Sequence, residues 1–201
     1  MTDQAVINKR LNGLDEILNQ SAELMAQTGY HGTSMRELAQ VTGRSLSGLY
    51  HYFSNKEELL FLINQRGFTS LLDMSGNLMD QDLSPEQRLS GLIHNHVTYF
   101  MDHLNEMRVM TSGSMEMNDQ RSRVLWRLKE DYAKLGQQIV GDYINHQTEA
   151  FYPPEAVSRK TFLLYGMMNW IFGWYSPEQH GDAKDVAQDI FRTFTEGCCY
   201  T

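Results

Sequence analysis

Between Ile7 and Met25 the apolar side chains fall at Ile7, Leu11, Leu14, Leu18, Ala22 and Met25, in steps of four and three. That spacing lays one stripe along a helix and contradicts the two-residue alternation of a half-buried strand. The rhythm returns in Leu59, Leu60, Ile63, Leu71 and Leu72, then in Leu89, Ile93, His96, Phe100 and Leu104. It continues in Leu125, Leu128, Tyr132, Leu135, Ile139 and Tyr143, in the nearly apolar run 162–175, and in Val186, Ile190 and Phe194. No segment alternates as a strand does, and no internal repeat is found. The expected fold is all-α, with roughly nine helices.

Local signals divide these stripes. Gly29 closes the first, and Ser34-x-x-Glu37 opens a short helix as a capping box. That helix carries Met35, Leu38, Ala39 and Val41 and stops at Gly43; Ser45 then caps a second short helix, expected over 45–52. A long helix starts near Asn55, and Ser84 with Pro85 restarts the chain after "DQDL". "TSGSMEMNDQ", "FYPPEA" and "SPEQHGD" read as breaks.

Two short helices about a glycine turn are a helix-turn-helix. Leu38, Ala39, Leu49 and Phe53 can bury one side of the pair. The second helix then presents Leu46, Ser47, Gly48, Tyr50 and His51, a mixture too poor in helix formers and too rich in rings for an ordinary solvent face. Small residues let its start approach base edges, while Ser45, Ser47, Tyr50, His51 and the helix N-terminus can donate to phosphates. Ser34 and Arg36 begin the preceding helix, and Lys56 adds a cation to the next. On this pattern alone an ordinary helical hairpin with core aromatics fits equally well.

The net charge of −8 opposes a nucleic-acid partner at first sight. Residues 1–56 are nevertheless neutral, with Lys9, Arg10, Arg36, Arg44 and Lys56 balanced by Asp3, Asp15, Glu16, Glu23 and Glu37, so the excess lies on 57–201. A neutral head on an acidic body binds DNA if its few cations share one face. The two cysteines, Cys198 and Cys199, are adjacent and suit neither a disulfide framework nor an oxidising compartment. The start "MTDQAVINKR" lacks a signal-peptide pattern, and the run 162–175 is short of the ~20 residues that span a bilayer. A soluble, cytoplasmic chain without a membrane partner is expected. His94 and His96 fall on different helix faces, and no His, Cys or carboxylate set has metal-ligand spacing. No nucleophile elbow, phosphate loop or cofactor motif is found, so neither an enzyme nor a resident cofactor is expected.

The stretch "GYHGTSMRELAQVTGRSLSGLYHYFSNKEELL" resembles the DNA-binding domain of the TetR family of bacterial repressors. Gly29, Ser34, Leu38, Ala39, Gly43, Ser45, Leu49, Tyr50, Phe53, Lys56 and Leu59 match that family's pattern in register. The resemblance implies Tyr50, His51 and Lys56 on phosphates and Ser45 to Gly48 near the major groove. Two positions depart from it. Arg44 replaces a small apolar residue and is expected to reach toward phosphate, and Leu46 has only a thymine methyl as plausible base partner. The implied domains are 1–56 for DNA and 57–201 for an effector and dimerisation.

Family members pair through their last two helices, which implies a homodimer on a palindromic operator in double-stranded DNA. The expected interface uses Gly166 and Gly173 with the Val186, Ile190 and Phe194 stripe. "NW-x-x-x-WY-x-P" at 169–177 and "LKEDYAKLGQQIV" at 128–140 resemble TetR-type regulators of fatty-acid, sterol and aromatic-acid breakdown, which implies an acyl-CoA or related effector. Tyr99, Arg108, Trp126, Tyr132, Tyr165, Asn169 and Trp170 are the candidate ligand contacts. A drug or aromatic-compound sensor controlling efflux, and a helical interaction module without DNA binding, are the alternatives.

Overall fold

The computed structural model describes residues 3–112, 120–148 and 152–198, with side chains described for 13–111, 120–148 and 152–197. Cys199 and most of the "TSGSMEM" segment lie outside the described residues. Among the described residues the chain is helical throughout: α1 (Asp3–Thr28), α2 (Met35–Val41), α3 (Leu46–Leu49), α4 (Lys56–Met79), α5 (Pro85–Asp102), α6 (Leu104–Ser112), α7 (Gln120–Gln147), α8 (Pro154–Asn169), α9 (Pro177–His180) and α10 (Ala183–Cys198). A short 3-10 turn, Ile171–Gly173, follows α8. The all-α expectation holds.

The contacts group the residues into two units, Met1–Gly67 with Asn105–Leu125, and Phe68–Leu104 with Trp126–Thr201. In the first unit the stripes of α1, α2 and α3 converge on one core. Ile17, Leu18, Met25, Leu38, Leu49, Phe53, Leu59 and Ile63 are its buried members, and Val109 of α6 joins them. Leu38, Leu49, Leu59 and Ile63 expose nothing.

The turn between α2 and α3 follows from one residue. Gly43 takes φ 61°, and the Gly43 and Arg44 N–H groups donate to the Gln40 and Ala39 carbonyls at 3.2 and 3.0 Å. These paired bonds are the Schellman ending, which needs a left-handed residue that glycine adopts without a Cβ penalty. The chain reverses there and delivers Ser45 as the N-cap of α3, its Oγ accepting from Gly48 N–H at 3.0 Å. α3 is shorter than its expected span: only Leu46–Leu49 is helical, with Tyr50 as C-cap. The serines, glycine and rings that weaken it leave its position to the Leu49 and Phe53 anchors.

In the second unit α5 packs against α8, α10 and the 3-10 turn. Ser84 and Gln87 close a capping box around Pro85, as the local signals imply. Two expected helices end early. α5 stops at Asp102, so Leu104 begins α6 rather than extending the α5 stripe. The run 162–175 is not one helix: α8 starts at Pro154 and ends at Asn169. Beyond it the Trp170 ring folds back so closely that a Cβ on Gly173 would meet it at 3.0 Å.

Candidate nucleic-acid interface and effector core

On α3 the division of labour is visible in exposure. Leu49 and Phe53 are buried, whereas Ser45, Leu46, Ser47, Tyr50 and His51 are exposed, Tyr50 by 48%. Gly48 is half-buried beside the Ser45 cap, and Ser34 and Arg36 are exposed at the start of α2. The Ser34 backbone N–H donates to the Glu37 carboxylate at 2.8 Å, and the Glu37 N–H returns to Ser34 Oγ at 3.3 Å. One exposed strip thus combines a helix start, two serine hydroxyls, a phenol and an imidazole. It can hydrogen-bond phosphates and lay a short apolar side chain against a base.

Two cations expected on phosphates are held within the protein. Lys56 Nζ donates to the Tyr30 and Thr33 carbonyls at 2.6 and 2.7 Å and lies 4.4 Å from the Tyr30 ring centre. It staples the loop between α1 and α2. That loop is also closed by Thr33, whose buried hydroxyl donates to the Gly29 carbonyl at 2.8 Å. Arg44 leans toward α1, with its guanidinium 3.9 Å from the Glu16 carboxylate and 5.9 Å from the centre of the Tyr52 ring. Ion pairs this exposed contribute about 0–1 kcal/mol, so Arg44 is held loosely.

Arg66 of α4 gathers three partners in the first unit. It donates to Asp15 and Asn19 of α1 at 3.2 and 2.7 Å and to Glu106 of α6 at 2.7 Å. The next residue, Gly67, packs so tightly against α6 that an added Cβ would lie 2.4 Å from Met110 Sδ.

In the second unit a buried stack of rings centres on His96. Its ring lies 4.3 Å from Phe100 and 5.9 Å from both Tyr132 and Tyr165, and those two phenols lie 5.2 Å apart. His96 Nδ1 and the Tyr132 hydroxyl are 2.8 Å apart, and the Tyr165 hydroxyl donates to the Tyr132 carbonyl at 2.9 Å. Gly136 makes room for this, since a Cβ there would sit 2.2 Å from the Tyr165 oxygen. Burial pushes the imidazole down to about 3, with the neighbouring Asn169 amide opposing the shift, so His96 is uncharged at neutral pH. Burial likewise raises the Tyr132 and Tyr165 phenols, which stay protonated.

Of the candidate ligand contacts, Tyr132, Tyr165 and Asn169 therefore gather around His96. Tyr99 is buried but stacks on His103 at 4.2 Å. Trp126 and Trp170 are 66% and 64% exposed, and Arg108 is exposed on α6 in the first unit. The interface candidates also part company. Val186, Ile190 and Phe194 are buried within the chain, where α10 packs on α5, so that stripe is core. Gly166 is exposed with open space around it, among the exposed Phe162, Leu163 and Trp170 of the α8 surface. His96 and Arg66 were not among the candidates, although a histidine on the Leu89–Ile93–Phe100 stripe signals a buried polar group. Among the described residues no group of His, Cys, Asp or Glu is placed to hold a metal ion, and no helix is long and apolar enough to cross a membrane.

Residues 17–63 match the family model described as "Bacterial regulatory proteins, tetR family", and residues 82–198 match "Tetracyclin repressor-like, C-terminal domain". The HTH-type transcriptional repressor KstR2 of Mycobacterium tuberculosis is 24% identical over 176 residues, 86% of each chain. Its structure, described as a ketosteroid transcriptional regulator, superposes with TM-score 0.80 at 20% identity, covering 92% of this chain and 93% of that one. AibR, solved with isovaleryl coenzyme A and operator DNA, superposes with TM-score 0.77 at 22% identity, covering 90% and 97%.

Proposed function

The chain belongs to the TetR family of bacterial regulatory proteins, and from that premise we propose how this ligand-responsive transcriptional repressor works. It binds a two-fold operator as a homodimer through residues 34–56, and an acyl-type effector, with an acyl coenzyme A thioester the leading class, releases it. The domains at work are 1–56 for DNA and 57–201 for effector and pairing. The observation that carries the DNA reading is the split of α3, with Leu49 and Phe53 inside and Leu46, Ser47, Tyr50 and His51 outside. The effector reading is supported by the uncharged ring cluster at His96 and by likeness to AibR, a protein solved with isovaleryl coenzyme A and operator DNA.

Pairing uses the exposed apolar side chains of Phe162 and Leu163 on α8 and of Trp170 just beyond its end, around Gly166. A two-fold contact between such faces sets the spacing of the two α3 helices to successive major grooves. Release is then a coupling free energy: the effector prefers the arrangement in which that spacing no longer fits.

The test is a titration of the purified protein against the DNA upstream of its own gene. Sequence-specific binding that weakens steeply with salt is expected, and its absence overturns the repressor reading. Acyl coenzyme A compounds added to the preformed complex should lower operator affinity; an unchanged affinity removes that effector class.

A further inference from the structure

The His96 cluster holds polar groups that the protein leaves unsatisfied. His96 is 2% exposed, and its Nε2 is buried without a hydrogen-bond partner; the buried Ser75 Oγ, beside the Tyr132 phenol, also lacks one. A buried donor or acceptor without a partner costs stability, so a protein that keeps one at the centre of an aromatic cluster needs a reason.

Tyr132 keeps its proton, and its hydroxyl stands 2.8 Å from His96 Nδ1, with Ser75 also beside it. With the phenol donating to Nδ1, the ring proton lies on Nε2. In that tautomer Nε2–H is a buried donor that no protein group accepts at hydrogen-bonding distance. Around it stand Phe100, Tyr132, Tyr165, Ser75 and Asn169, all uncharged, and Asn169 is exposed at the last residue of α8. A carboxylate entering this shell meets no cation, and an ammonium meets a donor; an uncharged oxygen acceptor is the group that fits.

We propose that His96 is the residue that selects the effector, its Nε2–H donating to an uncharged carbonyl oxygen of a mainly apolar ligand whose body lies against the Phe100, Tyr132 and Tyr165 rings. This rests on reading the second unit as the effector domain. It narrows that reading from acyl-type molecules to the carbonyl function itself, whether a coenzyme A thioester or a carrier-free ketone bears it.

Two measurements decide it. Binding of octanoyl coenzyme A is compared with octyl coenzyme A, its thioether lacking the carbonyl, in the full-length protein and in His96→Phe, which keeps a flat ring. The thioester should bind about tenfold more tightly to the native protein, and the variant should lose that preference. Heteronuclear NMR of protein labelled at its histidine nitrogens should place the His96 proton on Nε2, and methyl hexyl ketone should shift that resonance. A shift with the ketone but no binding of either coenzyme A compound keeps the His96 assignment and removes the coenzyme A reading. Thioester binding with an equal preference in native protein and variant keeps the coenzyme A reading and overturns His96. A proton found on Nδ1, or an Nε2 signal unmoved by every probe, also overturns it. Should His96→Phe not fold, the NMR arm on native protein decides alone.

Discussion

Arg66 on α4 donates to the Glu106 carboxylate on α6 at 2.7 Å, and Glu106 is only 3% exposed. The same guanidinium holds Asp15 and Asn19, so one side chain fastens α6 and α1 to α4 within the first unit. Removing the buried carboxylate leaves the guanidinium with the exposed and more weakly held Asp15 in its place. Glu106→Gln should therefore destabilise the protein by about 3 kcal/mol, whereas Asp15→Asn, at the exposed end, should cost under about 1 kcal/mol. Urea unfolding of the two variants compares them directly, and equal costs would contradict the ranking.

Lys56 gives a prediction with two distinguishable outcomes. Its ammonium is committed to two carbonyls and the Tyr30 ring. As a staple it makes Lys56→Met destabilising by about 2 kcal/mol, with operator affinity falling as the loop before α2 loosens. As a phosphate ligand it would leave stability unchanged and reduce the slope of log affinity against log salt by about one. The staple outcome is expected, read by thermal unfolding beside a salt series.

Two glycines should fail for opposite reasons. Gly43 sits at φ 61° with open space around its missing Cβ, so Gly43→Ala carries only the left-handed strain, about 1–2 kcal/mol. At Gly136 a Cβ would meet the Tyr165 hydroxyl at 2.2 Å, so alanine there overpacks the ring cluster, at about 1–3 kcal/mol. Gly43→Ala should weaken operator binding and spare effector binding; Gly136→Ala should do the reverse. Paired DNA and ligand titrations check both.

Acid should find His96. The folded imidazole lies at about 3 against an ordinary 6.5, so between those values the unfolded chain binds a proton that the folded chain refuses. Stability is complete above about pH 6.5 and falls on acidification, by up to about 1.4 kcal/mol per pH unit. The flanking phenols are raised by burial and carry no charge in that window. His96→Phe should flatten the acid limb of the stability profile, measured as denaturation midpoints across the range.

On α8, Leu163 is 68% exposed beside the exposed Phe162. Leu163→Glu should leave the fold and its unfolding midpoint at low protein concentration intact, while sedimentation shifts from dimer to monomer. A dimer that persists would move the pairing face elsewhere.

What could be read from sequence was local. Ser34 with Glu37, Gly43, Ser45, and Ser84 with Pro85 announce their turns because the capping groups lie within a few residues of what they cap. Lys56 could not be read, because the carbonyls that hold it belong to Tyr30 and Thr33, brought near only by folding. The Val186–Ile190–Phe194 stripe was legible as a buried face, yet periodicity does not say whether the cover is a partner or the chain's own α5. The end of α5 before Leu104 left no mark, since no glycine or proline stands there. His96 was in plain view on an apolar stripe, where spacing counts a histidine as merely another member.

α3 spends little of itself on remaining folded. Leu49 and Phe53 anchor it, Gly43 and Ser45 aim it, and the exposed Leu46, Ser47, Tyr50 and His51 have no part in that core. Mutation at Leu46, Ser47 and Tyr50 is therefore nearly uncoupled from survival of the core. A lineage built on this scaffold can drift from one set of target genes to another by exchanging a handful of surface side chains, while selection on solubility and pairing acts on other residues.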